Sequence, residues 1–263
     1  MGPMNDLRDL EQLAARNGLN LFGVVDAARF DRGQPAELRS AALAPGCGSI
    51  LVLGTGGNRP CHEFGRQVGA DVRAVDAPTA DMIAEASVRV IAHELGRLGV
   101  RARQVGPAEG RLPLATLGEA AGFGVVSPIS GMLLHPEFGP WLRVRAALLL
   151  EGQPFGAVAA TKLPSNFMPC CGCSQPCVSS CPPGAIAAEG SGDRRRCADY
   201  RFSGGCADAC RARQACPVGA EHADVPGRPR HAHSLGEAAL RQRFGKGWRQ
   251  RFARALRGPV RAR

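Results

Sequence analysis

The chain has 263 residues, a net charge of +10, and 44% hydrophobic but only 5% aromatic residues. That is enough apolar material for a real core, while no apolar run reaches the roughly 18–20 residues that a membrane span requires. The charge is local: residues 238–263 hold nine of the 33 basic residues and none of the 23 acidic ones, so basicity belongs to a terminal stretch and not to the fold.

In chain order, Asn5 and Asp6 predict the cap of a helix carrying Leu7, Leu10, Leu13 and Ala14, which ends at Gly18. Residues 19–25 and 49–54 read as strands. Gly54, Gly56 and Gly57 follow the second of them. Their spacing matches neither dinucleotide nor nucleotide-phosphate loops, so a plain glycine-rich turn is expected. Residues 78–98 form the longest helical pattern, with Met82, Ile83, Ala86, Val90, Ile91, Leu95 and Leu98 on a 3.6-residue period. A strand over 100–105 and a short helix over 114–121 come next. Residues 142–150 begin as an alternating strand, with Leu142, Val144 and Ala146 inward and Arg143 and Arg145 outward, and then become wholly apolar. This mixture predicts an α+β chain, with helices packed on a sheet.

Eight cysteines then follow in two runs. The first is Cys170, Cys173, Cys177 and Cys181 before Pro182; the second is Cys197, Cys206, Cys210 and Cys216 before Pro217. Runs of four cysteines closing on Cys-Pro predict two [4Fe-4S] clusters. In two-cluster ferredoxins the last cysteine of each run ligates the other cluster. By that rule Cys170, Cys173, Cys177 and Cys216 form one ligand set, and Cys181, Cys197, Cys206 and Cys210 the other. Cys171 is the neighbouring alternative to Cys170 as first ligand. Zinc prefers separated ligand pairs, often with histidine, and disulfides call for secretion; both are weaker readings of this spacing. Cys47 and Cys61 read as buried structural thiols.

Several segments together resemble the epoxyqueuosine reductase and reductive dehalogenase group of corrinoid iron–sulfur proteins. They are the helix and strand over 80–105, Ala121-Gly122-Phe123-Gly124, the His135-to-Trp141 segment His-Pro-Glu-Phe-Gly-Pro-Trp, Cys181-Pro-Pro-Gly-Ala-Ile186 and the solitary Cys197. The resemblance covers roughly residues 5–220. It implies a nitroreductase-like α/β domain over 1–165, a bacterial two-[4Fe-4S] ferredoxin-like domain over 166–226, and a linker with a basic tail over 227–263. It further implies a cobalamin held by the front domain near Ser127, Ser130 and His135, and electrons passed to it through the clusters. The sequence also departs from the family. Where the queuosine enzymes carry an acidic proton donor, this chain has Gly110-Arg111-Leu112-Pro113-Leu114. Glu109 is the nearest acid and reads first as a loop carboxylate. Ser127 to Gly131 stands in place of a Gly-Lys-Asn-Thr segment, and the single tyrosine, Tyr200, lies among the cysteines. Epoxyqueuosine reduction itself is therefore not expected.

The resulting expectation is an oxidoreductase-like, two-cluster protein that passes low-potential electrons to a bound cofactor or a partner reductase. Its donor would be of ferredoxin or flavodoxin type, and its location cytoplasmic, since no secretory signal opens the chain. Two rival classes remain open: a flavin-dependent small-molecule reductase, and a cluster-stapled binding protein whose basic tail contacts nucleic acid. In that tail Trp248, Phe252 and Leu256 recur every four residues between arginines, which predicts a short amphipathic helix packed by its apolar stripe.

Overall fold

The computed structural model describes residues 7–57, 77–109, 111–156, 163, 166–190, 192–206 and 209–223. The predicted cap at Asn5 and Asp6, Cys61, Gly110 and the tail helix lie outside the described residues.

Four strands form the central sheet, in the order β1 (Leu21–Asp26), β2 (Cys47–Gly56), β6 (Leu142–Glu151), β3 (Ala102–Val105), every pair antiparallel. A separate two-stranded hairpin joins β4 (Val125–Val126) to β5 (Leu133–Leu134). Helices cover both faces of the sheet. On one face, α1 (Leu7–Arg16) and α4 (Ala77–Arg97) bring Leu10, Ala14, Val88, Ile91 and Leu95 onto Leu51, Leu53, Leu148 and Leu150. On the other, α2 (Ala27–Arg32), α3 (Ser40–Leu43) and α5 (Leu114–Ala120) bring Phe30, Leu43 and Leu117 onto Ile50, Val52, Ala147 and Leu149. A strand buried on both faces has no polar side, and this is why 146–150 reads as wholly apolar. The sequence-level α+β class is therefore the observed one.

Four local expectations need correction. Ala146 does not share a face with Leu142 and Val144. Between Leu53 and Gly54 the register slips, so that Leu53 opposes Ala146 while Gly54 opposes Val144, leaving Arg145 as the extra residue of a bulge. One inserted residue flips every later side chain to the opposite face. Nor does Arg145 point into water: its Nε donates to Thr55 Oγ1 at 2.9 Å and a terminal nitrogen pairs with Asp81, both side chains about one-tenth exposed.

In α4 the buried stripe is rotated from the predicted one. Met82 and Val90 are exposed, while Ala84, Ser87, Val88, Ile91 and Leu95 are buried. Ser87 supports this rotation, because its hydroxyl donates to the carbonyls of Asn17 (2.7 Å) and Ile83 (2.9 Å). The glycines at 54 and 56 are strand residues at the end of β2 rather than a turn. A side chain at Gly56 would meet the Phe138 ring at 2.1 Å, so the small residue is there to seat an aromatic ring.

The cysteine-rich part carries only short helices: α6 (Pro176–Ser179), α7 (Arg194–Phe202) and α8 (Arg211–Gln214), with α6 packed against α8. Among the described residues no helix is long and apolar enough to cross a membrane.

Candidate metal centre

The chain from Ser127 to Leu134 makes a tight turn at the mouth of the hairpin. Ser127 is 3% exposed, and its hydroxyl oxygen accepts from the backbone N–H groups of Ile129 (3.3 Å) and Ser130 (3.0 Å). Ser130 Oγ in turn accepts from Met132 N at 3.3 Å. A hydroxyl that accepts two bonds still has its own hydrogen to give. The Ser127 hydroxyl lies 3.3 Å from Cys170 Sγ, and in the thiol form it is Cys170 that donates.

This turn lines part of a shallow recess. Cys170, Cys173, Cys177 and Cys216 line it as well, with the turn contributing Ile129, Met132 and Leu134 as apolar residues. All four thiols of the first predicted set thus face one space, together with Ser127 and Ser130. Burial pushes the Cys177 thiol up, and the neighbouring Cys170, Cys216 and Cys173 add to the shift. Cys216 is raised in the same way, by burial and then by Cys170 and Cys173. Gln175 N donates to Cys173 Sγ at 3.4 Å. Cys171 is exposed and is not part of this lining.

The second set gathers around Cys197 on α7. Burial raises the Cys197 thiol, and Cys210, Cys181 and Cys206 raise it further, against the opposing effect of Arg201. Ala185 N donates to Cys181 Sγ at 3.3 Å. Cys206 holds a left-handed backbone (φ 51°), unusual for a residue with a side chain. Thiols that raise one another's pKa by mutual repulsion want a shared positive charge, and an iron–sulfur core supplies it while accepting N–H donation to the sulfurs. The donor chemistry of both sets therefore fits such a group. Among the described residues no three His, Cys, Asp or Glu side chains converge tightly enough to hold a single metal ion.

His135 does not reach the recess lining. Its Nδ1 accepts from the N–H groups of Glu137 (3.0 Å) and Phe138 (3.2 Å), and its ring stacks on Phe138 at 4.5 Å. Burial holds its pKa below the ordinary histidine value. Its local role is to fold the turn. Glu109 likewise caps its own loop, accepting from Gly106 N at 3.0 Å. Cys47 is half-buried, its thiol bonded to Ser49 O and pushed up by burial.

The cysteine-rich part is fixed to the rest by backbone-to-backbone contact that sequence reasoning missed. A Cβ on Gly139 would lie 1.8 Å from Val218 O, and one on Gly219 would lie 2.4 Å from the Phe138 carbonyl carbon. A Cβ on Gly190 would likewise lie 2.4 Å from Pro128 O. Beside this clasp the Arg213 guanidinium sits over the Trp141 ring at 5.7 Å, and His222 meets the edge of Phe138 at 5.0 Å. The signal was present in the glycines of the Phe-Gly-Pro-Trp segment and of the Pro-Val-Gly segment after Cys216. Only the fold shows that they face each other.

No protein-family model and no curated protein matches the sequence. Solved structures do. An epoxyqueuosine reductase in complex with an epoxyqueuosine-modified tRNA-Tyr stem loop superposes with a TM-score of 0.55 at 17% identity, over 89% of this chain and 69% of that one. The epoxyqueuosine reductase of Streptococcus thermophilus gives 0.56 at 13% identity, over 92% and 76%. A reductive dehalogenase described as carrying out B12-dependent dehalogenation gives 0.58 at 19% identity, over 93% of this chain but only 37% of its own length. At such identities the likeness is one of fold.

Proposed function

We propose that this chain, which has the fold shared by epoxyqueuosine reductases and reductive dehalogenases, is a redox protein that holds two [4Fe-4S] clusters and passes single electrons toward its front domain. The observation that carries this reading is the grouping of the eight cysteines into two sets of four, one of them facing the front-domain turn at Ser127. In this reading Cys170, Cys173, Cys177 and Cys216 hold one cluster, and Cys181, Cys197, Cys206 and Cys210 hold the other. Residues 1–165 act as a nitroreductase-like front domain and 166–226 as the ferredoxin-like one. The clusters supply one-electron carriage at a potential set by their surroundings.

The chain's own residues do the rest. Gln175 and Ala185 donate backbone N–H groups to cysteine sulfurs. Ser127 offers Cys170 the hydrogen that its hydroxyl has left to give. Ile129, Met132 and Leu134 keep water from the side of the recess facing the sheet domain. The acceptor beyond that wall is a cofactor of the front domain or a partner reductase; a corrinoid is the first to test, given the B12-dependent neighbour. Because His135 spends Nδ1 on its own turn, it is not assigned as a ligand to cobalt.

The test is anaerobic purification with iron, sulfide and cofactor analysis. About eight iron and eight inorganic sulfide per chain are expected from two clusters. Stoichiometric zinc without sulfide overturns the reading. Cobalamin titration followed by its visible spectrum tests the acceptor separately.

A further inference from the structure

The second cysteine set sits in an unusual electrostatic setting. None of Cys181, Cys197, Cys206 and Cys210 lines the recess shared with the front-domain turn. Instead the chain around them is rich in arginine: between residues 192 and 216 there are six arginines against three aspartates. Arg194, Arg195 and Arg196 open α7 directly ahead of Cys197, and Arg211 follows Cys210; all four are exposed.

Helix stability does not account for this. The first turn of a helix carries partial positive charge and favours Asp or Glu, while three consecutive arginines there oppose the dipole and repel one another. Asp193 caps the helix, accepting from Arg196 N at 2.9 Å, but no acidic residue follows in the first turn. Arg196 has a structural contact, reaching Gly184 O at 3.5 Å in the Cys181 loop. Among the described residues Arg194 and Arg195 make no such contact. A local rule broken without a stabilising return marks a surface kept for another purpose.

We propose that Arg194, Arg195 and Arg211 form the docking surface for an acidic one-electron carrier protein, which delivers electrons to the Cys181–Cys197–Cys206–Cys210 set. This rests on the two-cluster reading above. The location favours a carrier over a polyanion such as nucleic acid. Exposed arginines flank Cys197 and Cys210 in the chain, two of the thiols through which an electron would enter, and complementary charge both speeds encounter and sets the orientation of docking. The first cysteine set faces the front-domain turn at Ser127, so the arginine-flanked set is the one left for a partner protein.

The experiment uses the full chain, reconstituted anaerobically with iron and sulfide, and a reduced acidic [2Fe–2S] ferredoxin as probe. Stopped-flow absorbance gives the second-order rate of cluster reduction as a function of salt. The double variant R194E/R195E is expected to lower this rate by about tenfold or more at low ionic strength and to flatten its salt dependence. R194Q/R195Q should fall between. The same charge change at R29E/R32E on α2, whose two arginines are exposed, should leave the rate within about twofold of the parent once net charge is allowed for. Reduction by photoreduced deazaflavin, iron content and the EPR spectrum should be unchanged in every variant. Equal losses in the α2 and α7 variants overturn the surface, as does no loss in either. Salt-sensitive binding of an RNA or DNA oligomer that R194E/R195E abolishes, with carrier rates unaffected, replaces the carrier with nucleic acid. A reconstituted chain without iron and sulfide removes the two-cluster reading itself, and the docking surface with it.

Discussion

Replacing Gly139 with alanine probes the clasp that holds the cysteine-rich part in place. Gly139 has φ +53°, and its Cβ would sit 1.8 Å from Val218 O and 2.5 Å from Val218 C. Both obstacles are backbone atoms, which cannot swing aside as a side chain would. Gly131→Ala is the matched control: it too has positive φ (+68°) but nothing within 4 Å of its would-be Cβ. The left-handed backbone costs a non-glycine residue roughly 1–2 kcal/mol at either site. Forced separation of packed groups adds about 1–3 kcal/mol at Gly139 alone. At about 3 °C per kcal/mol for a chain of this size, Gly131→Ala should lower Tm by about 5 °C and Gly139→Ala by about 10 °C. Circular dichroism melts of the anaerobically prepared protein read this difference. Hydrogen exchange should also rise in 138–141 and 217–222 for Gly139→Ala only. Equal Tm losses, or unchanged exchange across the clasp, would refute the reasoning.

Three further outcomes are expected. Cys181→Ala should alter the EPR signal of the cluster assigned to Cys197, Cys206 and Cys210 and spare the other, whereas Cys171→Ala should leave both signals intact; loss of a signal in the second variant would make Cys171 the ligand. Ser127→Ala removes a hydrogen-bond donor from the Cys170 sulfur. If that bond favours the reduced state by about 1 kcal/mol, the midpoint potential of its cluster falls by about 40 mV for one electron, and Ser127→Thr restores it in an EPR-monitored titration. His135 is held below its ordinary pKa by burial, so the unfolded chain takes up its proton first. The sign follows: its stabilisation is present above the unfolded value of about 6.5 and is lost as the pH falls through that region toward the lower folded value. His135→Asn keeps a side-chain acceptor for the turn and should show a shallower fall in Tm from pH 7 to 5.5 than the parent.

Much of the scaffold was legible because its signals are local. Hydrophobic period located α1, α4 and α5, apolar runs located β1, β2 and β6, and the strand-like stretch over 100–105 located β3. The errors arose where a distant partner decides. The rotation of α4 depends on Ser87 reaching Asn17, seventy residues away in sequence, and the phase change of β6 on a bulge paired with β2. Period alone sees neither. The two cysteine sets were expected from the rule for paired runs closing on Cys-Pro; that Cys170, Cys173, Cys177 and Cys216 line one recess is visible only in the fold. Ser127 was singled out as a cofactor contact, but its position against Cys170 required the turn at Ile129 and Ser130 to be known. The Gly139–Gly219 approach was invisible, since two glycines eighty residues apart carry no pattern that joins them.

The return of Cys216 to the side of Cys170 and Cys173 bears on the order of events during synthesis. Residues emerge from the ribosome in sequence, so three thiols of the first set are exposed long before the fourth exists. The second set gathers its members within the loop that Cys216 closes. Bringing the ends of that loop together costs chain entropy whether or not iron is present. In the two-cluster reading the early thiols wait for their fourth ligand, and a chain cut short before residue 216 would retain one complete set at most. In that reading Cys216 completes the first set last, directly before the Val218–Gly219 segment whose backbone meets Phe138 and Gly139.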